Sequence, residues 1–346
     1  QSKRWAYHSL IADSALGAQA PLDNDAPPLA SWVTEFQGHL FLCRERANPH
    51  YLRWSTRFAP EAFPAANFLE IGTPDDPLQC AIPIAGVLGA FSRQTKYRVV
   101  GNATSGFVAQ EALSRRGTPA PGAVIACEYG LLFPHRDGIF RTNLISLDEE
   151  VSADIAPLFY GEAVNDLDPI NWSAALTFTA AYRQGRYYFA YASGQNTTPD
   201  KIAVLSRTTG KWYFFDHAAR SLYLEEGDTE DLTAGFTDGF VYVLEDGTSD
   251  ADANIALSVQ TKDYFGPAPD LRKLFLWARL DADTESAAVN VDLYVDGTLK
   301  RTASVTTDRG RALIPFPQGS MGYTWRVGVR YTGTARVRIF GVSAIM

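Results

Sequence analysis

The side chains best placed to do chemistry in this chain are carboxylates. Asp75, Asp76, Asp137, Asp216 and Asp238 are spread along the sequence. Gathered near one axis, two of them could act as the acid and the base or nucleophile of glycoside hydrolysis. Two of the five have a simpler reading, because Asp137-Gly138 and Asp238-Gly239 carry the chemistry of a tight turn. No repeated Ser-x-Asp-x-Gly-x-Thr-Trp box accompanies them. The five histidines, His8, His39, His50, His135 and His217, are far apart and read as surface or hydrogen-bonded structural residues. The acidic loop from Asp246 to Asn254 offers oxygen ligands but lacks the glycine and the terminal glutamate of an EF-hand, so it reads as a solvated loop. Cys43, Cys80 and Cys127 are isolated in apolar surroundings and read as core thiols, with neither a disulfide framework nor a zinc site. Neighbouring aromatics such as Tyr187-Tyr188 and Trp212-Tyr213 resemble a sugar-stacking platform. Adjacent strand residues point to opposite faces, however, so at least half of them must serve packing. GxSxG, HExxH, GxxxxGK[ST], GxGxxG and paired CxxC motifs are all absent. The residues therefore predict no catalytic, cofactor-binding or metal site, and a chain without turnover.

The elements that carry these residues follow a repeat. An aromatic or apolar residue, a glycine and a β-forming run recur at Gly38, Gly86, Gly130, Gly185 and Gly239, spaced 48, 44, 55 and 54 residues apart. That is close to the roughly 40 to 50 residue period of propeller blades. A glycine with positive φ allows a tight hairpin, so each cassette predicts a turn between two strands of one antiparallel blade. Blades are expected over roughly 32–80, 81–117, 121–160, 174–217 and 221–265. Blade four is the clearest, with strands at 176–181, 187–191, 202–206 and 212–215. Short helices are expected only in loops, for instance at 109–115. The fold class is thus all-β, a propeller of five or six blades followed by a small antiparallel β-sandwich. The sandwich is read from the alternation of Val289, Val291, Leu293 and Val295, from the Asp296-Gly297 hairpin, and from later strands at 312–316, 324–331 and 335–342. The domains are an N-terminal arm at 1–30, a propeller at 31–266 and the sandwich at 267–346.

The chain has 346 residues, 46% of them hydrophobic and 12% aromatic, which is ample for a large core. Its formal net charge of −8 opposes sequence-independent adhesion to nucleic acid. The first residue, Gln1, reads as a processed or partial N-terminus. No signal-peptide pattern and no run of 18 apolar residues is visible, so no membrane partner is expected.

Several passages resemble the β-propeller proteins that form the tail tube or nozzle of short-tailed bacteriophages. They are Asn48-Pro49-His50-Tyr51-Leu52-Arg53-Trp54-Ser55, the proline-containing segment from Pro60 to Phe68, Thr95-Lys96-Tyr97-Arg98-Val99-Val100-Gly101, Leu132-Phe133-Pro134-His135-Arg136-Asp137-Gly138-Ile139-Phe140, and Thr261-Lys262 followed by Arg272-Lys273. The resemblance implies a virion structural subunit of an oligomeric DNA channel. Its partners would be other tail proteins and copies of itself, with DNA passing through and not held tightly. On this reading Arg44, Arg46, Arg53, Arg57, Arg115 and Arg116 are docking contacts. Asp228, Glu230, Asp231 and Asp246 would then face the lumen or a partner ring. The alternatives are a propeller glycan hydrolase, which needs two carboxylates in one pocket, and a glycan-binding or host-receptor adhesin at the tail tip.

Overall fold

Two-residue turns set the architecture. In a computed structural model, which describes residues 27–102, 104–164, 167–225, 230–246, 254–266 and 268–346, Gln37-Gly38, Ala85-Gly86 and Gln184-Gly185 each hold two successive positive φ angles. Such a pair twists a turn in the sense that antiparallel strands need. Each of these turns joins the first and second strands of a sheet, as does the turn ending at Gly130.

Blade 1 comprises Ala30–Phe36, His39–Glu45, Tyr51–Trp54 and Phe68–Glu70, and blade 2 comprises Leu78–Ile84, Val87–Ser92, Lys96–Asn102 and Gly106–Glu111. Blade 3 follows with Ile125–Cys127, Gly130–His135, Gly138–Thr142 and Glu149–Glu150, and blade 4 with Thr179–Arg183, Arg186–Tyr191, Lys201–Ser206 and Lys211–Phe215. Blade 5 shows three described strands, Ala219–Leu224, Leu232–Phe236 and Val241–Val243. Every blade is a simple antiparallel meander, and the first strands of successive blades are neighbours from blade 1 through blade 5. The fold is an all-β propeller with five blades among the described residues.

Because side chains alternate across a strand, each blade feeds two cores. Tyr187, Phe189 and Tyr191 pack between blades 3 and 4, while Tyr188 and Ala190 pack between blades 4 and 5. Leu131 and Phe133 likewise face blade 2, and Leu132 faces blade 4. The paired aromatics are therefore core on both faces, including Trp212 toward blade 3 and Tyr213 toward blade 5. Polar ties cross the same seams. Trp32 Nε1 donates to the Ala81 carbonyl at 3.0 Å, Tyr187 to that of Ala123 at 3.0 Å, and Trp212 Nε1 to that of Val151 at 2.9 Å.

The seam between blades 2 and 3 also holds a buried ion pair. Lys96, with no exposed surface, donates to Asp148 at 2.7 Å, to the Ser114 hydroxyl at 3.0 Å and to the carbonyls of Ser114 and Arg116 at 2.9 and 3.1 Å. Burial draws its ammonium below the usual range, and Asp148 opposes that shift.

The second compact unit begins at Glu245. One of its sheets runs in the order Ile255–Gln260, Trp325–Gly333, Val289–Val295, Thr298–Val305, and the other in the order Gly310–Pro315, Trp277–Asp283, Arg338–Ile345. Their apolar faces share a core that includes Val291, Leu293, Ile314 and Val327. Asp296 and Gly297 form the expected two-residue turn, and Asp296 Oδ1 accepts from the amides of Tyr323 and Thr324 at 2.8 Å each.

Three sequence expectations need correction. Residues 109–115 form no helix, since Gly106–Glu111 is the outer strand of blade 2; the short helices among the described residues are 3₁₀ turns at Pro121–Ala123, Ala153–Tyr160 and Trp172–Thr177. The Gly239 turn joins the second and third strands of blade 5, one strand later than its counterparts. Residues 255–260, assigned from sequence to the fifth blade, pair with Trp325–Gly333 in the second unit, so the break near residue 266 lies inside that unit. The 1–30 arm lies almost wholly outside the described residues. No helix among the described residues is long and apolar enough to cross a membrane.

Replacing Lys96 with Met strands the Asp148 carboxylate in the interior. The expected loss is about 3–5 kcal/mol of stability, read from the urea midpoint, and a loss below about 1 kcal/mol would show that the pair does not tie the blades together.

Candidate functional site

A four-stranded meander places its 1–2 and 3–4 turns at one end, and its 2–3 turns and the crossovers to the next blade at the other. These ends define a hairpin face and a crossover face of the propeller. On the hairpin face a cleft of about 330 Å³ opens between blades 3 and 4, within the usual range of small-molecule sites. Leu132, Val151, Tyr187 and Leu205 give it an apolar wall, while Tyr129, Arg141, Glu149, Glu150, Tyr182 and Arg207 supply its polar groups.

Local structure explains each placement. Glu128 and Tyr129 occupy the turn before Gly130, where φ is 135° and a Cβ would meet the Thr142 carbonyl oxygen at 2.4 Å. That glycine lets the turn close against the third strand of its own blade. Arg207 follows the third strand of blade 4, its amide donates to the Gly185 carbonyl at 2.9 Å, and its guanidinium carbon lies 4.0 Å from the Tyr129 ring centre. The same guanidinium lies 3.4 Å from Glu128 Oε1. Glu149 pairs with Arg141 across the outer strands of blade 3, and the Trp212 bond to Val151 fixes the backbone just beyond Glu150.

The electrostatics separate the titratable groups. A hydrogen bond with its own backbone amide holds the Glu128 carboxyl below its usual range against partial burial, helped by Tyr182, Tyr129 and Arg207. Burial first, and then the Glu128 carboxylate, push the Tyr182 phenol up to about 12. The Tyr182 hydroxyl is buried and makes no hydrogen bond of normal geometry within the protein. Glu150 makes no ion pair among the described residues, but it pairs with Phe140 on the face of blade 3 turned to blade 2, and its carboxylate lies beside Gly138. The cleft wall thus combines the Glu149–Arg141 pair, the Arg207 guanidinium with Glu128 held ionised against it, and a phenol that stays protonated.

None of these residues was singled out from sequence as chemical. Glu128 sits inside the Gly130 cassette, where turn chemistry accounts for the whole segment, and Arg207 lies a full blade away in sequence. The five aspartates selected from sequence all lie on the crossover face, and four are committed to neighbours. Asp76 accepts from Ser92 Oγ at 2.5 Å, Thr95 Oγ1 at 3.0 Å and the Gln94 amide at 3.1 Å. Asp137 is bound by His135 and by Arg116 at 3.1 Å, Asp216 by Lys201, and Asp238 by Tyr242 at 2.8 Å and the Phe240 amide at 2.9 Å. Asp75 is exposed. No two of the five share a hydrogen-bonding partner, so they do not form an acid and base pair.

The described histidines are likewise dispersed. His39 faces the Ser55 carbonyl, His50 faces Glu70, His135 faces Asp137, and His217 lies between the rings of Phe215 and Phe236. His8 and most of the 246–254 loop fall outside the described residues. Among the described residues no cluster of three metal-ligating side chains occurs. Of the arginines read as docking contacts, Arg53 pairs with Glu45, Arg115 with Glu111 and Arg116 with Asp137, while Arg57 lies over the Phe58 ring and Arg46 is exposed. Arg44 is half-buried in blade 1 with φ of 62°. Asp231 lies 3.9 Å from Arg183 between blades 5 and 4, Glu230 and Asp246 are exposed, and Asp228 is outside the described residues.

No protein-family model matches the chain, and no curated protein matches it. Solved structures do. An exo-β-1,3-galactanase from Phanerochaete chrysosporium matches at 9% identity over 90% of this chain and 95% of its own, with a TM-score of 0.31. A structure described as a glycoside hydrolase matches at 11% identity over 93% and 99%, with a TM-score of 0.28. PorZ, a surface component of the type-IX secretion system of Porphyromonas gingivalis, matches at 11% identity and a TM-score of 0.39, over 92% of this chain but 47% of its own. Glycoside hydrolases thus match along nine-tenths of the chain, and the expectation of a protein without turnover is withdrawn. At these scores the likeness carries no substrate, residue or mechanism.

Cys127 lines the cleft and is half-buried, whereas Cys43 and Cys80 are buried. Burial raises the Cys127 thiol above its ordinary value. Under native conditions iodoacetamide should label Cys127 alone, more slowly than a free thiol at neutral pH and faster as pH rises. Labelling of Cys43 or Cys80 at a comparable rate, read by peptide mass spectrometry, would show that the blade seams open.

Proposed function

We propose that the chain acts on a carbohydrate at the cleft between blades 3 and 4, hydrolysing a glycosidic bond. The observation that carries this reading is the presence of Glu149 in the wall of one aromatic-lined cleft and of Glu128 against its lining residues Tyr129, Tyr182 and Arg207. Hydrolysis needs one carboxylate kept ionised and another able to deliver a proton. Glu128 is held low and takes the first role, and Glu149, on the face of blade 3 turned to blade 4, takes the second. Glu149 gives its proton to the departing glycosidic oxygen as the bond to C1 breaks. Glu128 takes a proton from the water that forms the new C1–O bond, and the products are a sugar with a free reducing end and an alcohol. Arg141 fixes the position of the Glu149 carboxyl through their ion pair, and Tyr182 remains a donor throughout the physiological range.

The test is release of reducing ends from a panel of neutral and acidic polysaccharides. Glu128→Gln and Glu149→Gln should each lower the rate by about 10²–10⁴-fold with the melting temperature unchanged. Undiminished release by both variants would reject the site, and absence of release from any polysaccharide by the native chain would reject hydrolysis.

A second reading, that of a tail nozzle or tail-tube subunit assembled with copies of itself, is favoured by the exposed apolar side chains of blade 5. Tyr223, Phe240, Val241 and Val243 are exposed by 63%, 67%, 72% and 45% there, an apolar grouping of the kind that marks protein contacts. A ring of identical subunits should then be visible by mass photometry at micromolar concentration and be lost in a Phe240→Asp, Val241→Asp double variant. A strict monomer at that concentration speaks against it.

A further inference from the structure

The crossover face carries a larger cleft, of about 540 Å³, that the proposed hydrolytic site does not use. It is lined by Arg93, Gln94, His135, Arg136, Trp172 and Ser173 with short apolar neighbours. Arg93 and Arg136 occupy equivalent turns, each between the second and third strands of its blade, in blades 2 and 3. Both are exposed, and neither has an ion-pair partner among the described residues.

The turns that present them are held from within. Asp76 receives Ser92, Thr95 and the Gln94 amide, which locks the turn around Arg93. Asp137 receives His135 and Arg116, which locks the turn around Arg136. Burial alone would raise the Asp137 carboxyl, but those two hydrogen bonds hold it below its usual range, so its charge is spent on Arg116 and His135. Arg116 is thereby engaged, while Arg93 and Arg136 are left without a carboxylate partner among the described residues and are the guanidiniums open to an anion at the mouth.

Trp172 forms the opposite wall. It opens the short helix Trp172–Thr177, which Asn171 caps by accepting from the Ser173 amide at 3.1 Å. Ring contacts with Phe159 and Phe178, at 6.1 and 5.8 Å between centres, pin the indole. Its Nε1 is buried without an acceptor, unlike those of Trp32 and Trp212, which donate to carbonyls. An aromatic wall, amide and hydroxyl groups from Gln94 and Ser173, and two guanidiniums carried on hydrogen-bonded turns suit a sugar ring that carries a carboxylate. The ring would lie against the indole while its carboxylate meets the guanidiniums in bidentate fashion. Two free arginines are too few to track a nucleic-acid backbone, and the net charge of −8 opposes one.

We propose that the crossover-face cleft of blades 2 to 4 is a binding site for acidic saccharides, separate from the hairpin-face cleft and independent of any reaction there. Asp76 and Asp137 act as positioning residues for the two arginines.

Isothermal titration with oligogalacturonate, and with the same oligomer methyl-esterified, tests this on the full chain. Saturable binding of the acid form is expected, with affinity about tenfold or more lower for the ester and for Arg93→Ala or Arg136→Ala. Glu128→Gln, in the other cleft, should bind as the native chain does. Should either alanine variant unfold, Arg93→Gln and Arg136→Gln replace it, and the native chain's tryptophan fluorescence should shift on binding while Trp172→Phe loses that shift. Absence of binding, equal affinity for the ester, full affinity in both arginine variants, or equally tight binding of a single-stranded oligonucleotide would each overturn the proposal.

Discussion

An ammonium group with no exposed surface has to find all of its hydrogen-bonding partners inside the protein, and Lys96 finds them in two segments outside its own strand. It opens the third strand of blade 2, reaches the crossover at Ser114 and Arg116, and meets Asp148 from blade 3. The charge cannot stay buried unless those segments keep their relative positions, since a lone buried charge costs several kcal/mol. The pair therefore constrains how blade 2 sits against blade 3. It lies in the seam beside Phe91, Phe133 and Phe140, and the Lys96 ammonium stands 5.1 Å from the centre of the Phe133 ring. Apolar area drives this contact, and the ion pair selects one arrangement of it.

The same seam logic explains why clefts form at the propeller's two ends. Between the blades, alternate side chains interdigitate and leave no room. At the ends the strands give way to turns, whose polar residues diverge around the seam. Blades 3 and 4 diverge around Tyr129, Glu149, Tyr182 and Arg207 on the hairpin face. Blades 2 to 4 diverge around Arg93, Arg136 and Trp172 on the crossover face. One cleft sets carboxylates beside guanidiniums and the other holds free guanidiniums, the contrast on which the proposed hydrolysis and the proposed anion recognition rest.

Much of the fold was legible in the residues. Gln37-Gly38, Ala85-Gly86, Gln184-Gly185 and Asp296-Gly297 announce their hairpins because a two-residue turn of this twist needs positive φ at both positions, and glycine supplies the second cheaply. The alternation from Val289 to Val295 marked the sandwich for a similar local reason. Gly239 misled because a turn glycine does not say which two strands of a blade it joins. Ile255–Gln260 misled because a β-forming run does not name its sheet, and its pairing with Trp325–Gly333 is a contact between residues some seventy positions apart.

The chemistry was far less legible, and for a related reason. Asp76 and Asp137 looked like catalytic candidates because an aspartate in a loop carries no mark of its partners; folding spends both on holding turns. Glu128 looked like part of a turn, and only the packing of blade 4 against blade 3 brings Arg207 and Tyr182 to it. By itself the sequence determined strands, turns and an all-β class, since φ preference and period-two burial act within a few residues. Tertiary structure alone decided which carboxylates keep a free hand and which arginines meet, because those outcomes depend on side chains that approach one another only after whole blades have packed.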